Sequence, residues 1–96
     1  MKLLRTERSI VFYNNNDNDH EIAGEVNIDP ISVDQLLTIV VPRDDDLELY
    51  YGYILSEEQL EKINELVVNK IVPNFETYYY VLECFGIYDW SNGKTD

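Results

Sequence analysis

The chain has 96 residues and a formal net charge of -12 at pH 7, from 19 Asp and Glu against 7 Lys and Arg. That length holds one hydrophobic core, hence a single domain over residues 1–96. A hydrophobic content of 45% excludes a disordered acidic tail, and the few cations exclude a surface that grips nucleic-acid phosphates.

Residues 8–14 are rich in Ile, Val, Phe and Tyr and predict a strand. Asn14 to Asp19 is a turn-forming cluster whose side chains bond their own backbone. Residues 20–28 alternate, with Ile22, Gly24, Val26 and Ile28 on one face, so strand, turn and strand read as a hairpin. A helix start follows. Either Asp29 caps with Pro30 at the first helical position, or Ser32 caps with Gln35 closing a capping box. Val33, Leu36, Leu37 and Val40 keep helical spacing until Pro42.

Arg43-Asp44-Asp45-Asp46 is a charged loop. Residues 47–54 predict a strand with Leu47, Leu49, Tyr51 and Tyr53 on one face. Ser56-Glu57-Glu58-Gln59 combines a capping box with two acids where the helix dipole favours them. Leu60, Ile63, Leu66, Val67 and Ile71 form the apolar stripe of that helix, and Pro73-Asn74 breaks the chain. Residues 77–85 are so dense in aromatics that they predict a central strand, with Tyr78 and Tyr80 on the face opposite Tyr79. The tail from Ile87 to Trp90 is expected to pack and Ser91 to Asp96 to fray. The expected fold is α+β: a four-stranded antiparallel or mixed sheet, two helices on one face, order β-β-α-β-α-β.

One cysteine, Cys84, leaves no internal disulfide. The opening residues lack the apolar run of a signal peptide, and no run nears the roughly 20 apolar residues of a membrane helix. The expectation is a soluble, cytoplasmic protein without membrane contact.

No catalytic set is legible. Counted from Asn14, an EF-hand register puts Glu25 at the twelfth position but Asp19 where Gly belongs, and strands flank it. Cys84 and the lone His20 have nothing that fixes them together, and they are too few for a zinc site. Cys84 shares a strand face with Tyr80 and Leu82, which predicts a buried structural thiol. Phosphate-binding glycine motifs are absent. The expectation is no enzyme activity, no cofactor and no metal.

The second half carries a resemblance. Asp44-Asp45-Asp46-Leu47 leads into Tyr51-Gly52-Tyr53, then Ser56-Glu57-Glu58-Gln59, and finally Phe75-Glu76-Thr77-Tyr78-Tyr79-Tyr80-Val81-Leu82-Glu83-Cys84. This series is similar to immunity proteins of bacterial contact-dependent growth-inhibition and related toxin systems, over roughly residues 44–85. The resemblance implies a cytoplasmic antidote that binds the C-terminal domain of a cognate toxin, a basic protein and often a nuclease. It implies no catalytic residues. A strongly acidic chain suits such a partner, since charge steers the encounter. The alternative reading is an acidic inhibitor or nucleic-acid mimic aimed at a host or phage DNA- or RNA-binding protein. A small carboxylate enzyme ranks last, because so short a core leaves little room for a concave site.

The contact residues follow from charge. Acids at Glu57 and Glu58 serve the helix dipole, and Glu61 and Glu65 form a solvated helix face. The triple Asp has no such local role in the sequence. Asp44, Asp45, Asp46, Glu48 and Tyr50 are therefore the expected partner-binding residues.

Overall fold

The computed structural model describes residues 2–16, 21–28 and 31–89. Its elements run β1 (Lys2–Asn14), β2 (Ile22–Asn27), α1 (Val33–Leu37), β3 (Tyr53–Ile54), α2 (Glu57–Asn64) and β4 (Tyr78–Asp89). The four strands form one antiparallel sheet in the order β2-β1-β4-β3. The aromatic-rich β4 is central, as its composition predicts.

Alternation divides the sheet cleanly. Ile10 opposes Leu82, Phe12 opposes Tyr80, and Tyr53 opposes Leu82, so these side chains share a face. That face carries the core. Ile10, Tyr80 and Leu82 join Leu36 of α1 and Leu60 and Ile63 of α2 in one buried cluster. Both helices therefore lie on one side, where each buries its apolar stripe. Phe12 packs edge-on against Tyr78 at 5.1 Å and tilted against Tyr80 at 5.4 Å. On the opposite face Tyr13 stacks on Tyr79 at 5.2 Å, and its hydroxyl donates to Glu83 at 2.8 Å. Burial and that carboxylate push the Tyr13 phenol up to about 12. Cys84 is a free thiol, half-buried on the face of Tyr80 and Leu82.

Both helix starts obey their caps. Ser32 accepts from the Gln35 backbone N–H while the Gln35 side chain accepts from the Ser32 N–H, and Ser56 and Gln59 repeat the pattern. The alternative cap at Asp29 and Pro30 lies outside the described residues, as do His20, most of the expected Asn-rich turn tip, and the tail from Trp90 onward.

Element bounds shift: β1 starts at Lys2 and not at residue 8, α1 stops at Leu37 although the helical spacing runs to Val40, and β4 runs past residue 85 to Asp89. Three further expectations are corrected. The β2 alternation breaks at a bulge: Phe12 opposes Gly24 but Tyr13 opposes Ile22, so Ala23 is the extra residue. The bulge sends Ile22 to the face of Tyr13, where it is 57% exposed, instead of into the core. Second, α2 stops at Asn64, short of the stripe's end. The Asn64 side chain takes over as a backbone partner, donating to the Ile71 carbonyl at 2.8 Å and accepting its N–H at 2.9 Å. Lys70 donates to the carbonyls of Asn64 and Val67 at the helix end. Val67 and Ile71 reach the core from this loop, and Leu66 faces out. Third, the expected strand 47–54 shrinks to Tyr53–Ile54.

A candidate protein-binding surface in the segment 43–54

The shortened strand has one physical cause, the Asp46 carboxylate. Its Oδ1 accepts the Tyr50 N–H and its Oδ2 accepts the Tyr51 N–H, both at 2.9 Å. The Tyr53 hydroxyl donates to Oδ2 at 2.7 Å. Three donors converging on one carboxylate wind the chain into turns where a ladder would otherwise form. Backbone bonds from Asp46 N–H to the Arg43 carbonyl and from Leu49 N–H to the Asp46 carbonyl close the same loop. The winding places Asp44 at φ 52° and Leu49 at φ 55°. Asp tolerates this left-handed region, whereas for Leu it costs about 1–2 kcal/mol. Full burial of the Leu49 side chain in the core offsets that strain.

Burial by itself would raise the Asp46 carboxyl. The Tyr51 N–H, the Tyr53 hydroxyl, the Tyr50 N–H and the charge of Arg43 outweigh it and hold the group below the usual carboxylate range. Arg43 completes the arrangement. Its N–H donates to the Tyr53 hydroxyl oxygen at 3.0 Å and its guanidinium to the Gly52 carbonyl at 2.8 Å. The same guanidinium lies over the Tyr53 ring at 4.8 Å and the Tyr51 ring at 5.5 Å. From β1, buried Arg8 reaches across and donates Nη2 to the Glu48 carbonyl.

These anchors sort the expected contact residues. Asp46 is buried and committed to the loop, so the triple Asp does have a local role, one that the sequence reading missed. Asp44, Asp45, Glu48 and Tyr50 are exposed, and none of these three acids makes an ion pair among the described residues. The winding also turns out Leu47 and Tyr51, which the sequence assigns to one strand face with Leu49 and Tyr53, while Ile54 faces out by alternation on β3. Leu47 is 64%, Tyr50 56%, Tyr51 53% and Ile54 72% exposed. Within twelve residues the chain thus presents three unpaired carboxylates among four large apolar side chains. Tyr anchors ringed by charge are what a protein-binding surface offers. The hollow beside Arg43, Asp44 and Tyr51 measures about 240 Å³, under the usual size of a small-molecule site. The legible signal for Leu47 and Tyr51 was the turn-forming Asp next to them, whose side chain reaches its own backbone four and five residues on.

Among the described residues no group of three or more His, Cys, Asp or Glu is placed to hold a metal ion. No helix there is long and apolar enough to cross a membrane. Compared with known proteins, residues 7–83 match the profile of a family described as a domain of unknown function, DUF7683. The chain belongs to the DUF7683 family. The matched span takes in the sheet body, both helices and the whole loop around Asp46. No curated protein matches the chain, and no solved structure does.

Proposed function

We propose that this DUF7683 protein is an immunity protein, a cytoplasmic antidote that binds a basic toxin domain and neutralises it without chemistry of its own. One observation carries the reading: Asp44, Asp45 and Glu48 stand exposed and unpaired beside Leu47, Tyr50 and Tyr51 on a loop locked by Asp46, with exposed Ile54 following on β3. A rigid loop binds at a lower entropic cost than a floppy one. Exposed acids steer a cationic partner, and the apolar side chains hold it once docked. A net charge of -12 adds long-range attraction to a nuclease-like basic cleft. The test is co-expression with the C-terminal domain encoded by the adjacent reading frame. Growth rescued by this chain, with the two proteins purifying as one complex, supports the proposal. Killing that continues at full expression of a folded chain overturns it.

A further inference from the structure

Beyond residue 83 the sheet narrows to two strands. β3 pairs with β4 only at Leu82 and Val81, and β2 pairs with β1 only from Ser9 to Tyr13. The remainder, Lys2–Glu7 against Phe85–Asp89, leaves the body as a ribbon. Both of its edges are open among the described residues. Of this ribbon the family match takes in only Glu7. Such edges are templates for pairing with another chain.

We infer that the β1 edge of this ribbon pairs with the same edge of a second copy, giving a two-fold symmetric dimer. The hydrogen-bonding direction supports it. The Arg8 carbonyl accepts the Ile28 N–H on the outer side of β1. Alternation then points the N–H and C=O of Thr6 to that same side, where no described strand lies. The pairing with β4 skips Leu4, since Leu3 opposes Tyr88 and Arg5 opposes Ile87. That bulge resets the alternation, so Leu3 also points its backbone outward. An antiparallel partner can therefore set Thr6 against Leu3 in both directions. This register brings Lys2 opposite Glu7 at each end, and Leu4 opposite Arg5 at the centre. The opposition to Asp89 and Phe85 on β4 places Lys2 and Glu7 on one sheet face, so the opposite charges meet.

Charge selects the occupant. Two chains of -12 repel almost everywhere. The ribbon is locally neutral, with Lys2 and Arg5 against Glu7 and Asp89. A second copy meets least repulsion there.

Sedimentation equilibrium of the full chain tests this. The average mass should climb with concentration from 11.3 kDa towards twice that value and stop. Thr6→Pro removes an N–H that β4 does not use, so it should keep the circular dichroism spectrum and hold the protein monomeric. Lys2→Glu and Glu7→Lys should each weaken self-association at least tenfold, by placing like charges opposite. Mixing those two variants restores an opposite-charge pair at both ends and should restore the dimer. A chain that stays monomeric, a dimer indifferent to Thr6→Pro, growth beyond a dimer, or a mixture no more associated than either variant each overturns the inference.

Discussion

Asp46 shows how one side chain sets the shape of a surface it does not itself present. Its carboxylate is held below its ordinary range by three donors and Arg43, so it binds a proton less readily folded than unfolded. The sign follows by linkage: the group contributes stability above the unfolded carboxylate value of about 3.9, and that contribution fades as pH falls through the lower folded value. Asp46→Asn should therefore lower the melting temperature at pH 7 and narrow the gap to wild type in strong acid, read by thermal melts from pH 7 to 2. The neighbouring pair behaves differently, because Asp44→Asn with Asp45→Asn removes only exposed charge and should leave the melting temperature equal or higher. At Gly24 the constraint is space. A Cβ there would sit 2.2 Å from the Phe12 ring tip, and Tyr78 and Tyr80 hold that ring in place. Gly24→Ala should cost about 1–3 kcal/mol in chemical denaturation, the usual result of overpacking.

At the scale of elements, local signals were legible where they stood alone. The Ser-x-x-Gln boxes start both helices, and the Tyr78–Leu82 run places the central strand. Ser56→Ala should lower stability by about 1 kcal/mol, since it orphans the Gln59 N–H. Ile63→Ala should cost about 2–5 kcal/mol, because Ile63 is fully buried and its loss leaves a cavity. Both changes are read by urea denaturation. What the sequence hid were contests between local and distant partners. Residues 47–54 have a strand pattern, yet Asp46 captures their N–H groups before a ladder can form. The apolar stripe of α2 runs to Ile71, yet Asn64 and Lys70 close the helix early and leave Val67 and Ile71 to be buried from a loop. At Ala23 a bulge breaks the alternation of β2, and period-2 counting cannot see it. The same contest explains the candidate site: Asp44, Asp45, Glu48 and Tyr50 are legible in the charged stretch, Leu47 and Tyr51 turn out as the loop winds around Asp46, and Ile54 is exposed by alternation beside buried Tyr53 on β3.

For the whole molecule the governing quantity is charge. The described residues contain two ion pairs, Arg5 with Glu7 and Lys62 with Glu58, both with substantially exposed members, so most of the acidic excess is left to act on solvent and partners. An exposed field of one sign speeds encounter with a cationic protein and is screened beyond about 10 Å at 0.1 M salt. Neutralisation by charge-steered binding is tested by stopped-flow association between this chain and the adjacent frame's toxin domain at rising ionic strength, for wild type and for the Asp44→Asn, Asp45→Asn pair. The wild-type on-rate should fall steeply with salt, and the paired variant should form an at least tenfold weaker complex at unchanged stability. No complex at all, or one whose on-rate ignores salt and whose affinity ignores the paired substitution, would contradict charge-steered neutralisation.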